Sequence, residues 1–116
     1  MLIVATDAPL DARDLSRLAA RAVFGLARTG SAYSNGSGDF AVAFSTSPES
    51  RSRFGDTTPR PHQVLPTDAV SPLFEAALEA TEEAVYNSLF QATTVKSAIG
   101  TAETIPIDKV RELLRR

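Results

Sequence analysis

The sequence holds no cysteine among its 116 residues and only one histidine. Without cysteine there is no disulfide, no thiolate nucleophile and no zinc–cysteine site. This is compatible with a reducing compartment, and a cytoplasmic location is expected. The single histidine, His62, rules out a histidine-rich metal site. Charge of one sign is also lacking. The formal net charge is −2 at pH 7, which gives no electrostatic case for nucleic acid as a partner. No stretch approaches the ~20 apolar residues that span a bilayer, so no membrane partner is expected either. The first apolar run has no basic residues ahead of it and is cut short by Pro9 and Asp11, unlike a signal peptide. Phosphate-binding glycine loops, dinucleotide fingerprints, H-E-x-x-H and EF-hand patterns are all absent. The length fits a single domain, residues 1–116.

What is present reads as alternating strands and helices, an α+β or α/β pattern. Leu2 to Ala5 is a short apolar run with β-branched residues, expected as a strand buried on both faces. Asp11 is a good N-cap. From about Ala12 to Thr29, Leu15, Leu18, Ala19, Ala22, Val23 and Leu26 recur at helical spacing, and Gly30 supplies a stop. Arg13, Arg17, Arg21 and Arg28 fall largely on the other side, where a solvated face is expected. The small residues Ala19, Ala20, Ala22, Gly25 and Ala27 predict close packing on a sheet. Phe40 to Thr46 reads as a second strand, able to complete a β-α-β unit.

Residues 47–69 form an irregular loop, rich in proline, serine and threonine, that includes Arg51, Arg53, Arg60 and His62. A mobile segment or an intersubunit arm is expected there, with His62 a surface residue. Ser71-Pro72 predicts a helix start with Ser71 as N-cap, and the helix should run to about Ala92. Glu75, Glu79 and Glu82 share one face, expected to be exposed rather than metal-binding. Thr93 to Thr104 shows no period. Asp108 is expected to cap a last short helix reaching Arg116.

The stretch with most chemical interest is Asn35-Gly36-Ser37-Gly38-Asp39-Phe40-Ala41-Val42-Ala43-Phe44-Ser45. A polar turn running straight into a buried strand is a good mount for reactive groups. Ser37 and Asp39, two apart, would point the same way in an extended segment. The alternative is a plain tight turn. The G-x-S-x-G pattern of a nucleophile elbow is absent.

Five stretches together resemble one family. They are Leu2 to Leu10; Arg17-Leu18-Ala19 with Arg21-Ala22; Gly25 to Gly30; Ser37-Gly38-Asp39-Phe40 with Ala43-Phe44-Ser45-Thr46; and Glu83 to Leu89. In this order they are similar to the C-terminal (β) part of the DmpA-type aminopeptidases, which include β-peptidyl aminopeptidases and L-aminopeptidase/D-esterases. The resemblance implies an α+β fold: the β portion of an αββα sandwich, in strand-helix-strand-helix order, of N-terminal-nucleophile type. It implies a precursor that cuts itself into α and β parts, a serine nucleophile at the start of the β part, and a homo-oligomer of the cleaved pair. The implied activity is release of N-terminal residues from peptides, amides or esters, with no metal or organic cofactor.

Carried over residue by residue, the family's Ser-Gly-Glu or Ser-Gly-Asp turn falls on Ser37 and Asp39. Ser37 would bond the nucleophile's hydroxyl or amine, and Asp39 would orient that network. Asn87 also matches and is expected to be structural, buried against the first strand. The nucleophile itself would fall two residues before Met1, and the α part is not among these residues. The expected partners are therefore the α part of the same precursor and a peptide or amide substrate, and the chain alone is expected to be inactive. A late-assigned start, a truncation and an inactive relic are all open at this point. So are a non-catalytic partner-binding domain and a related acyl-transfer enzyme.

Overall fold

The computed structural model describes residues Met1 to Arg115. They group into two compact units, Met1–Glu82 and the residues from Glu83 onward.

The first unit begins with β1, Leu2–Thr6, followed by α1, Ala12–Arg28, and β2, Ala41–Ser45. The two strands are direct neighbours and run parallel, with Leu2 opposite Ala41 and Thr6 opposite Ser45. Parallel strands need a crossover of this length, and α1 provides it. Bonds beyond the strands fix the register. The Leu2 N–H donates to the Phe40 carbonyl at 2.8 Å and the Thr46 N–H to the Thr6 carbonyl at 2.8 Å. At the far end the Ser45 hydroxyl donates to the Ala8 carbonyl at 2.6 Å.

Neither strand is buried on both faces, contrary to the apolar run's promise. Leu2, Val4 and Thr6 are half-buried, while Ile3 is 67% exposed. Ala41, Ala43 and Ser45 alternate in the same way with the exposed Val42 and Phe44. With period two, one set of side chains meets the helices and the other stands on an uncovered apolar face.

Helix α1 starts where expected. The Asp11 carboxylate accepts from the Asp14 N–H at 2.8 Å, satisfying one of the helix's orphan donors. The Gly30 N–H closes the other end on the Ala27 carbonyl, with Gly30 at φ +96°. The buried face of α1 carries Leu18, Ala19, Ala22 and Gly25. Leu10, Leu18, Val70 and Ala77 make the core, with Val4, Ala43, Leu65 and Phe74 packed against it.

Residues 47–69 carry two single 3-10 turns, Pro48–Ser50 and Thr67–Ala69. The loop's end is tied back where the Leu65 N–H donates to the Pro9 carbonyl at 2.8 Å. Helix α2, Ser71–Gln91, follows. The Val70 carbonyl accepts from both the Leu73 and Phe74 N–H groups. Helical bonding therefore already begins at Val70, and Ser71 is the first helical residue rather than the cap. Pro72 sits in the first turn, where no intrahelical N–H is required.

Two packing expectations change. Gly25 makes its close approach to α2 rather than to the sheet: a Cβ there would stand 2.9 Å from the Leu78 carbonyl oxygen and 2.9 Å from Thr81 Cβ. The arginine side of α1 is likewise not simply solvated. Arg17 and Arg21 lie over the Phe74 ring, 4.8 and 4.6 Å from its centre, and Arg28 reaches Glu82 at 3.8 Å. These are cation–π and ion-pair contacts between the two helices.

In the second unit β3, Val95–Ser97, and β4, Gly100–Ala102, form an antiparallel hairpin, followed by α3, Ile107–Leu114. The hairpin falls within a stretch whose sequence shows no period. Pro106, not Asp108, occupies the N-cap of α3, without a side-chain capping bond. Asp108 lies in the first turn, 3.6 Å from Arg111. The expected helix end at Arg116 lies outside the described residues. None of the described residues in this unit is buried. Asn87, expected to be buried, is accordingly exposed.

Candidate functional site

The polar turn is built by a bond from the Ser37 N–H to the Ser34 carbonyl at 3.0 Å, with Gly36 at φ +95°. That backbone conformation is one glycine adopts without strain. The chain then extends through Gly38 and Asp39 into β2. The two candidate residues are in direct contact. The Ser37 hydroxyl donates to Asp39 Oδ2 at 2.7 Å, a charge-assisted bond of normal length. Both residues are exposed. The carboxylate thus fixes the direction of the Ser37 hydroxyl proton and leaves the serine oxygen's lone pairs to accept from another donor. Because β1 and β2 are in parallel register, this pair lies at the end of the sheet where the chain enters β1.

The other candidates lie apart from this pair. His62 is in the 47–69 loop, with Nδ1 2.9 Å from the Glu49 carbonyl. A carbonyl only accepts, so Nδ1 is the donor in this contact. Glu75 and Glu79 are exposed, and Glu82 faces Arg28. Among the described residues no group of three His, Asp or Glu side chains is placed to hold a metal ion. No helix among them is long and apolar enough to cross a membrane. One polar group escaped the sequence reading altogether: the Ser50 hydroxyl oxygen is buried without a hydrogen-bond partner. Nothing in the local sequence distinguishes it from the loop's other serines.

Comparison with known proteins places this geometry in context. The profile of peptidase family S58 matches residues 1–103. The chain is 40% identical over its full length to a β-peptidyl aminopeptidase of Sphingosinicella microcystinivorans, of which it covers 29%. Among solved structures, a protein of Pyrococcus horikoshii superposes with a TM-score of 0.89 at 44% identity, over 98% of this chain and 32% of that one. The L-aminopeptidase D-Ala-esterase/amidase of Ochrobactrum anthropi superposes with a TM-score of 0.83 at 30% identity, over 97% of this chain and 32% of that one. The latter is described as a prototype of the serine aminopeptidases and a variant of the Ntn hydrolase fold. The α+β architecture here, strand-helix-strand-helix, is of that N-terminal-nucleophile type. The chain spans about 29% of the length of the curated relatives it matches. With the family profile covering residues 1–103 and relatives above 30% identity along the whole chain, the protein belongs to peptidase family S58.

Proposed function

We propose that the chain is the β portion of a serine-nucleophile aminopeptidase or amidase that removes N-terminal residues from peptides, amides or esters. Ser37 and Asp39 support a nucleophilic serine that lies outside these 116 residues. The observation that carries this reading is the Ser37–Asp39 bond at the end of the parallel pair where β1 begins. Leu2 stands opposite Ala41. Continuing that register backwards puts the position two residues before Met1 opposite Gly38, between Ser37 and Asp39. Neighbouring strands are about 4.8 Å apart, so a residue there lies beside the turn that carries Ser37 and Asp39, and because its side chain in regular register shares Gly38's face, its α-amine is the group presented to the pair.

The chemistry follows from that placement. A serine hydroxyl is a weak nucleophile and needs a base; a freed α-amine at the same residue serves. Ser37, its own proton held by Asp39, accepts a hydrogen bond from the nucleophile's hydroxyl or amine and orients it. The negative charge of Asp39 steadies the ammonium formed when the amine takes the proton. The donors for the tetrahedral oxyanion, and most of the substrate pocket, belong to the α part. In this reading the two parts arise by self-cleavage of one precursor, the pair assembles into a homo-oligomer in the cytoplasm, no metal or organic cofactor takes part, and the 116-residue chain alone is inactive.

The test is to express the reading frame extended upstream of Met1 and assay aminoacyl and β-aminoacyl p-nitroanilides beside the 116-residue chain. The extended protein should cleave them and the chain alone should not. A folded but inactive extended protein overturns the enzyme reading. Cleavage by the chain alone, lost in Ser37→Ala, overturns the inactivity.

A second reading has one observation in its favour. Ile3, Val42 and Phe44 form an uncovered apolar face on the strand pair, and such faces favour association. A non-catalytic domain would bind a partner there.

A further inference from the structure

The turn that carries Ser37 has little of its own to hold it. Residues 32–40 are all exposed, so no buried side chain anchors them. The Ser37–Ser34 and Ser37–Asp39 bonds lie within the turn itself. Its two ends are fixed: the Gly30 N–H donates to the Ala27 carbonyl at 3.1 Å, and the Phe40 carbonyl accepts from the Leu2 N–H at 2.8 Å. Between those ends, one side-chain hydrogen bond among the described residues reaches back to the body of the protein. The Tyr33 hydroxyl donates to the Val23 carbonyl of α1. Val23 lies on a well-packed stretch of that helix, between the buried Ala22 and Gly25. Tyr33 also has an unusual backbone. It stands at φ +45°, the one positive φ outside glycine among the described residues. Gly30 and Gly36 on either side of it are at φ +96° and +95°, which glycine adopts without strain. A side chain of tyrosine's bulk disfavours this region, and such conformations persist where surrounding contacts over-determine them. The hydroxyl bond to α1 is such a contact.

We propose that Tyr33 is a positioning residue for the Ser37–Asp39 pair: its side chain clasps the turn to α1 and so sets where the two residues stand beside the start of β1. Tyr33 touches neither of them. It acts through Ser34, the next residue, whose carbonyl accepts the Ser37 N–H at 3.0 Å. The clasp holds a strained backbone on a rigid helix, which is how an exposed turn can keep a hydroxyl in one place. The catalytic consequence rests on the aminopeptidase reading, in which Ser37 meets the nucleophile; the clasp itself does not. Small misplacements of an orienting group are costly in turnover, so loss of the clasp lowers kcat and leaves substrate affinity alone.

The test is Tyr33→Phe, which removes the hydroxyl and keeps the ring. In the isotope-labelled 116-residue chain, water exchange of the Ser37 amide, followed by NMR, should quicken about fivefold, the worth of one hydrogen bond, while the amides of α1 and β2 keep their rates. In the upstream-extended protein kcat should fall by about the same factor with KM unchanged. In a Ser37→Ala background the substitution should leave kcat unaltered, because Tyr33 acts through Ser37. A residue that merely stabilised the fold would lower activity alike in both backgrounds. Tyr33→Asn is the second variant: asparagine tolerates the left-handed backbone but is too short to replace the ring and its hydroxyl, and it should reproduce both effects. Unchanged Ser37 exchange in both variants, quickened exchange spread over α1 and β2, an unchanged kcat, or an equal fall in kcat with and without Ser37 would overturn the proposal. A wild-type extended protein without activity would overturn the aminopeptidase reading and the catalytic consequence together, and the Ser37 exchange rate would then decide the clasp by itself.

Discussion

Gly25 on α1 and Leu78 on α2 approach so closely that a β-carbon on Gly25 would stand 2.9 Å from the Leu78 carbonyl oxygen. That atom is backbone and cannot rotate away, and Thr81 Cβ closes the other side at the same distance. Gly25→Ala should therefore lower stability by about 1–3 kcal/mol, the cost of an overpacked contact. This is the opposite of what helix propensity alone dictates, where alanine gains about 1 kcal/mol over glycine. A rise in the urea midpoint would show that the helices separate freely at this crossing.

Asp14 is buried, 4% exposed, and its carboxylate meets Arg17 at 2.7 Å. Arg17→Met keeps much of the aliphatic contact with Phe74 but leaves that carboxylate without its cation. The expected loss is about 1–3 kcal/mol, read by denaturant unfolding. Asp14→Asn in the Arg17→Met background should restore part of it, because the uncompensated charge is then removed. Equal stability of the double and single variants would show that the pair contributes only packing.

Leu18 is one of the two largest fully buried side chains, central to a core that also holds Leu10, Val70 and Ala77. Leu18→Ala should cost about 2–5 kcal/mol. In a first unit of this size that is a large share of total stability, so the thermal transition should fall markedly or vanish. A shift near zero would mean that the core is organised elsewhere.

The elements with local signals were legible in the sequence, and the contacts between distant residues were not. Asp11 and Gly30 bracket α1 because capping and the left-handed stop depend on a few adjacent atoms. The crossing of Gly25 on Leu78 and Thr81 involves residues more than fifty positions apart, and small residues on α1 fit a sheet as well as a helix. Alternation in β1 was hidden because Ile3, which is exposed, is as apolar as Leu2 and Val4. At the candidate site the family resemblance singled out Ser37 and Asp39, and the geometry adds the bond between them. Ser50 was invisible because its burial depends on how the long loop folds back.

The uncovered strand face makes a separate prediction. Ile3 and Val42 are cross-strand neighbours, 67% and 53% exposed. The purified chain should self-associate at high concentration, and an Ile3→Lys, Val42→Lys pair should return it towards monomer, as sedimentation velocity would show. A wild-type chain that stays monomeric at millimolar concentration weakens both the partner-binding reading and the view that further polypeptide covers this face.

The Ser37–Asp39 pair offers the sharpest mechanistic prediction, made for the upstream-extended protein. If Asp39 acts by directing the Ser37 hydroxyl, the two residues form one unit and their removal is not additive. Ser37→Ala and Asp39→Asn should each lower kcat by about 10²-fold, the usual scale for lost proton-transfer assistance. The double variant should be little worse than either single one, and KM should change little, since neither residue is assigned to the substrate pocket. Asp39→Asn keeps a hydrogen-bonding side chain of the same size, so its defect isolates the charge. Fully multiplicative losses would mean that the two residues act on different steps, and the 2.7 Å bond between them would then be incidental to catalysis.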